Sequence, residues 1–421
     1  MNNSRQGRKF NESLSSAAVF VFLLLLISHA AAAAPRVCTL KNASIARTVS
    51  VGPVVTTSSI KNLLTGKTYS FKAADEFRII LDGGAALTSK DFKVSAADIK
   101  AKDCIFSLEN KKTGLKAKLT YALKPDAFWT TKTIEIDAGK RTVREIDVER
   151  LPFGGAAKFE RLDTPHESKP PWDWPGGRPV FIDRQLFAGL EYPAGYNEPE
   201  NGVLRLHHYP GRAGKVVSKT AVIGVSSDKV NARVEDAFAA YLSKIRVHQP
   251  RRFILWNAYF QKYQSDNTPS FTFSDTDVKK KILAAEKLFK GSRLDAVLID
   301  GGWADPKSLM EEDKRASGRV ALVRKYSQQI LNAPIGVHVI THGIRATIDR
   351  KWMAENFDMI DKDAYCFADP RAADLEIKNL LDDQARHKLV AFKFDWGRFV
   401  CKQTGHRGHL DGERFAREAI T

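Results

Sequence analysis

From Pro250 onward, short apolar runs alternate with helical periodicity, and no other feature restricts the fold as much. Phe253-Ile-Leu-Trp-Asn257 reads as a strand. Ser274 or Asp275 then caps a helix whose apolar positions Val278, Ile282, Ala285 and Phe289 step by four, three and four, ending at Gly291. Leu294 to Asp300 is an apolar run that stops on an acid. A helix carrying Val320, Val323, Tyr326 and Ile330 precedes the strand Ile335 to Thr341, and Asp369-Pro370 opens a helix with Leu375, Leu380 and Leu381. Lys388 to Asp395 is a further strand, again ending on an acid. Strand, helix, strand at this spacing predicts parallel βαβ units.

Before Pro250 the texture is strand and turn. Cys104 to Leu108 and Leu115 to Tyr121 flank Asn110-Lys-Lys-Thr-Gly114 as a hairpin. Trp129 to Ile136 is β-rich and is expected to turn at Asp137-Ala-Gly139, and Phe77 to Leu81 closes on Asp82-Gly83-Gly84. Helical periodicity is scarce until Val234. The expected fold class is a multidomain β plus α/β protein: a β-sandwich over residues 35–245, then about the first half of a (β/α)8 TIM barrel over 250–421. Two Pro-aromatic loops, Pro170 to Gly177 and Glu191 to Asn197, suit either sugar stacking or packed corners. His207-His208 is expected at the surface.

The first 34 residues read as a signal peptide. Arg5, Arg8 and Lys9 precede an eleven-residue apolar core, Ala17 to Ile27, followed by Ala-x-Ala cleavage sites. That core is shorter than the ~18–20 residues of a membrane span. The expectation is a secreted or periplasmic protein with no membrane association after cleavage. The formal charge is +17, from 66 basic and 49 acidic residues, and stays near +15 without the leader. Lys and Arg are spread along the chain and no nucleic-acid-binding signature occurs, so nucleic acid is excluded and an anionic glycan is weakly favoured. Export permits disulfides, and pairing Cys38 with Cys104 and Cys366 with Cys401 is the simplest of three connectivities, against four free thiols. No Cys-x-x-Cys occurs. His338 and His342 share a strand face but lack a third ligand at matching spacing, so no metal is expected.

In a (β/α)8 barrel the reactive groups sit where strands run out at their C-terminal ends. Two segments fit: Leu298-Ile-Asp300-Gly301-Gly302-Trp303 and Phe392-Lys393-Phe394-Asp395-Trp396-Gly397. Period-two alternation puts Lys393 and Asp395 on one face. A lysine beside a carboxylate keeps it ionised, as a nucleophile must be, and Trp396 offers a flat face to a sugar ring. A buried structural ion pair is the competing explanation.

These segments resemble the Asp-Asp-Gly-Trp and Lys-aromatic-Asp motifs of the α-galactosidase clan of retaining glycoside hydrolases, particularly families 36 and 27. Trp256-Asn-Ala-Tyr-Phe260 is similar to the aromatic first strand of family 36, and Cys366-Phe-Ala-Asp-Pro370 to that family's Leu-Asp-x-x-x-Pro segment. The resemblance spans residues 250 to 400. It implies an exo-acting retaining α-glycosidase without cofactor, acting on an oligo- or polysaccharide. Asp395 would be the nucleophile, with Lys393 binding hydroxyls beside it. Asp300 would hold the far side of the ring, while Trp303 and Trp256 would shape the pocket together with Trp396. One departure stands out: Gly301 replaces the clan's second aspartate, which opens the sugar specificity. Another α-glycosidase or transglycosidase of this architecture, or a non-catalytic carbohydrate-binding protein, remains as an alternative.

Retention requires a second carboxyl about 5–5.5 Å from the nucleophile. In the clan it comes from a later strand, whereas only 26 residues follow Asp395. The chain is therefore expected to be the front of a longer protein and to lack the acid/base. Asp411 and Glu413 read as helix-start residues. Half a barrel would leave an unpaired edge and inward-facing Val and Ile in water, making the chain alone unstable or inactive.

Overall fold

The computed structural model describes residues 36–72, 75–161, 176–226, 233–260, 262–263, 269–270, 274–313, 318–340, 349–395 and 401–421. The first half is antiparallel β. Strands Arg36–Lys41, Ile45–Val51, Val55–Asn62 and Thr68–Ser70 form one four-stranded sheet in sequence order, and thirteen strands form a second. Along Ile45–Val51 and Asp103–Glu109 every second side chain is buried, as a half-covered sheet demands. Leu40, Ile45 and Ile60 from the smaller sheet share a core with Phe106, Leu119 and Ile134 from the larger. Cys38 and Cys104, one from each sheet, are disulfide-bonded.

The expected hairpin forms, from Asp103–Glu109 and Lys116–Ala122. Asn110 Oδ1 accepts the Lys112 and Thr113 amides, and Gly114 takes φ 74°. The expected turn at Asp137 to Gly139 does not occur: one strand runs through it, Trp129–Pro152, 24 residues long. Gly139 at φ 61° absorbs a register shift, so the strand bends without ending and pairs with five neighbours.

Inside this half lies a charge cluster. Arg47 reaches both Glu149 oxygens at 2.9 Å and Glu76 at 3.2 Å. Lys132 Nζ meets Glu76 at 2.9 Å and Glu149 at 3.1 Å, and the Tyr121 hydroxyl donates to Glu76 at 2.7 Å. Two cations and two anions are thus buried as a balanced set, the condition under which buried charge is tolerated. His207 and His208 are buried as well, against expectation. His207 Nε2 sits 3.1 Å from Glu198, and His208 Nδ1 sits 2.9 Å from Glu418, so acid partners replace the water they give up. The Glu191 to Asn197 segment is a packed corner, with Tyr192 and Tyr196 buried. Of the other aromatic loop only Gly176 and Gly177 fall among the described residues.

Helix α1 (Val234–Ile245) packs Val234 and Tyr241 on Phe187 and Val222 of the large sheet. Beyond it come four strands that we number β1 (Leu255–Ala258), β2 (Ala296–Ile299), β3 (Ile335–Ile340) and β4 (Ala391–Asp395). They form one sheet, all parallel, in that order. The intervening helices are α2 (Asp275–Leu288), α3 (Arg319–Tyr326), α4 (Arg350–Asn356) and α5 (Pro370–His387). Ser274 caps α2 by accepting the Asp277 amide, and Asp369 caps α5 with Pro370 at its first turn. Val297, Ile299, Ile335, Val337 and Val339 point to these helices and are buried with Val278, Ile282 and Val323. The expectation that inward Val and Ile would meet water therefore fails. The β-branched residues of β2 and β3 occupy the helix side, and the exposed apolar side chains lie on the edge strands: Leu255 of β1 at 42% and Phe394 of β4 at 58%. Leu381 of α5 also faces solvent, while Leu380 packs inward.

A last helix, α6 (Glu413–Ile420), docks on the large sheet. The Tyr192 hydroxyl donates to the Glu418 carbonyl at 3.0 Å, and Arg414 bonds the Tyr209 hydroxyl. Asp411 and Glu413 sit where a helix start would put them: Asp411 accepts the Gly405 amide and Glu413 pairs with Arg417. Among the described residues no helix is long and apolar enough to cross a membrane.

Candidate functional site

Strand register decides which side chains meet. Leu298 pairs with Gly336, and Gly336 with Ala391, so Asp300, His338, Lys393 and Asp395 fall on the face away from the helices. Asn257, opposite Leu298, joins them from β1. All four strands therefore deliver a polar group to the same place, at or just beyond their C-terminal ends.

The contacts are direct. Lys393 Nζ lies 3.1 Å from Asp395 Oδ2 and 3.5 Å from Asp300 Oδ2, bridging the two carboxylates. Asn257 Nδ2 donates to Asp300 Oδ2 at 2.7 Å, and the Gly301 amide donates to Oδ1 at 2.8 Å. His338 stands between the acids, with Nδ1 3.2 Å from Asp300 and Nε2 3.8 Å from Asp395. The two carboxylates differ in environment: the Asp300 side chain is 5% exposed, that of Asp395 41%. Burial pushes the Asp300 carboxyl up, but His338, Asn257 and the Gly301 amide outweigh it and hold its pKa well below the usual carboxylate range. Lys393 is held above the ordinary lysine value: partial burial opposes its charge, and Asp395 and Asp300 prevail. Both groups are thus charged at neutral pH. Asn257 Oδ1 and both ring nitrogens of His338 are buried without an aligned hydrogen-bond partner among the described residues, so the site retains unused polar capacity.

Of the residues singled out in the sequence, Asp300, Lys393 and Asp395 come together. Trp303 and Trp256 do not join them. Trp303 is 1% exposed within the helix-side core, where its indole N–H donates to the His338 carbonyl at 2.8 Å. It braces β3 and presents no face to a ligand. Trp256 is paired with Val297, hence on the helix side, against Phe260 and Phe289. Trp396 and His342 lie outside the described residues. Asn257 and His338 were missed as site residues. Alternation within β1 would have located Asn257; in β3 it set His338 on a face with His342, but that face was weighed only as a metal site and not matched to the acids of the neighbouring strands.

These elements have the fold of the α-galactosidase clan of glycoside hydrolases, established by likeness to solved structures. The α-galactosidase from Lactobacillus brevis matches 92% of this chain and 67% of its own at 10% identity, TM-score 0.62. The galactosidase domain of an α-galactosidase-sucrose kinase matches 91% and 67% at 12% identity, TM-score 0.60. A family 36 α-galactosidase from Geobacillus stearothermophilus, a variant of AgaA in complex with raffinose, matches 91% and 69% at 10% identity, TM-score 0.59. The chain therefore spans about two thirds of each of these proteins. No protein-family model matches it, and no curated protein does so by sequence.

Proposed function

We propose that this protein is a secreted, retaining α-glycosidase of the α-galactosidase type, acting on terminal α-linked sugars of an oligo- or polysaccharide. In this reading residues 1–34 are a leader and 35–245 a β-sandwich, and the four parallel strands belong to a (β/α)8 catalytic barrel. One observation carries it: two carboxylates, a lysine, a histidine and an asparagine converge at the C-terminal ends of adjacent parallel strands. This happens in a chain with the clan's fold.

Asp395 is the nucleophile. Its side chain is the more accessible of the two acids, and Lys393 stands 3.1 Å from the carboxylate that attacks the anomeric carbon. That attack forms a glycosyl ester as the bond to the leaving oxygen breaks, and the oxygen takes a proton from an acid. Water then hydrolyses the ester. Asp300 does not supply the proton, because a general acid needs a raised pKa and Asp300 has a lowered one. Its place is to anchor sugar hydroxyls, together with Asn257 Oδ1. Gly301, where the clan carries a second aspartate, leaves a wider choice of sugar than galactose alone.

An activated 2-fluoro-α-glycoside tests the assignment. The expected result is one glycosyl adduct on the peptide bearing Asp395. Asp395→Asn should abolish labelling, which with an activated leaving group needs no acid, yet shift stability by less than about 1 kcal/mol, as for other partly exposed side chains. A labelled peptide elsewhere removes Asp395 from the role. Sugar binding without any adduct favours a non-catalytic binding protein.

A further inference from the structure

Away from the strand ends, four ligand-type side chains gather in one small lobe. Cys366, Cys401, His406 and His409 each offer one atom, and these atoms all lie within 4.8 Å of one another. Cys366 Sγ is 3.4 Å from His409 Nε2, and Cys401 Sγ is 3.2 Å from His406 Nδ1. Four ligands placed tetrahedrally at zinc bond lengths of 2.0–2.3 Å would stand about 3.3–3.8 Å apart. Both cysteines are fully buried, and the histidines are half-buried.

From these distances we infer that Cys366, Cys401, His406 and His409 form a structural Cys2His2 site for zinc. The thiolate and imidazole donors select a borderline-soft divalent ion over magnesium or calcium. Four protein ligands close the coordination shell, so the metal holds structure and carries no reaction. Several features prepare the site. His409 Nδ1 is 2.7 Å from the Leu410 carbonyl, which fixes the tautomer that turns a bare Nε2 toward the sulfurs. The Arg407 amide donates to Asp358 at 2.7 Å, and the Gln403 side chain donates to the Ile360 carbonyl at 2.7 Å. Gly408, at φ 83°, lies so close to the Ala368 carbonyl that a Cβ would be 1.9 Å from it, which lets the His406–His409 turn sit on the Cys366 loop.

The apolar support of this lobe is slight: Ala368 and Ala416, with Ile360 and Ile420 at its margin. A metal would replace the missing core, as in other small loop-rich units. The second acid and histidine group, Glu145, Asp147 and His207, is a different case. Arg78, Arg150 and Arg205 already supply its positive charge. The zinc inference does not rest on the glycosidase reading. It also reaches the proposed nucleophile, since Cys401 follows Asp395 by six residues.

The full chain, purified under reducing conditions and freed of metal, is titrated with zinc and, in parallel, with cobalt(II). The expected result is one zinc per chain by elemental analysis. Cobalt should give the intense visible bands of a tetrahedral ion, with thiolate-to-cobalt charge transfer in the near ultraviolet. His406→Ala and His409→Ala should each weaken zinc binding by at least about tenfold, the lower bound set by losses from second-shell changes alone. Both variants keep the two thiols and so could still form a disulfide. The cobalt spectrum of the unmodified chain decides the question even if a variant misfolds. Weak octahedral cobalt bands overturn the inference. So does a Cys366–Cys401 cross-link in the non-reduced peptide map of protein that holds no zinc.

Discussion

Asp300 and Asp395 end similar strands, yet their surroundings separate their behaviour. Asp300 is enclosed by donors and is locked as an anion, while Asp395, beside Lys393 and His338, is 41% exposed. Residue identity alone made both acids visible. It left their difference hidden, because Asn257 and His338 come from strands 43 and 38 residues away from Asp300. The same holds for the Arg47–Glu149–Lys132–Glu76 cluster, which spans more than a hundred residues and has no local signature. Glu149→Gln would leave Arg47 and Lys132 buried with one carboxylate between them. Breaking such a set costs about 3–5 kcal/mol. Urea unfolding of Glu149→Gln should register that loss, and a loss below about 1 kcal/mol would mean that water reaches the cluster.

Elements follow local chemistry where it is strong. Ser274 and Asp369 cap their helices, and the apolar steps of α2 give its buried face, whereas α5 buries Glu376, Asn379, Asp383 and His387 with Leu380 and turns Leu381 to solvent. Where local and tertiary preferences compete, the sheet prevails: neighbours on both sides pair the strand up to Asp137, and pairing resumes at Thr142 beyond the bend, so the chain continues in the sheet and does not turn back. Helix α5 also carries a cost. Burial raises the Glu376 carboxyl to about 7, although the Tyr365 hydroxyl opposes this. The folded chain thus holds a proton there that the unfolded chain releases above its own pKa of 4.5. The stabilisation is full below that value and is lost as pH climbs from about 4.5 to about 7. Thermal unfolding of Glu376→Gln at pH 5 and pH 8 should display a flatter decline in Tm than the parent chain. An equal decline would assign the pH dependence to other groups.

Over the whole molecule, the Cys38–Cys104 bond joins the two antiparallel sheets across 66 residues. Closing a loop of that length restricts the unfolded chain by about 4 kcal/mol in the chain-entropy account. Replacing both cysteines by Ala should lower stability by an amount of that order, measurable as a fall in the denaturant midpoint. An unchanged midpoint would place the sheets' cohesion wholly in their shared core. Helix α6 joins the last residues to the large sheet through Glu418 and Arg414, a contact that no motif announced. His207 and His208 were misjudged for that reason: one of their acid partners lies 210 residues away. What the amino-acid order determined by itself were alternation, caps, the strand-ending acids and the change of texture at Pro250, all set by neighbours within a few positions. The tertiary structure alone decided which polar groups converge at the strand ends, which tryptophans turn away, and that two cysteines meet two histidines. Those pairings depend on strand register and loop return, and both are selected by the burial of the whole core.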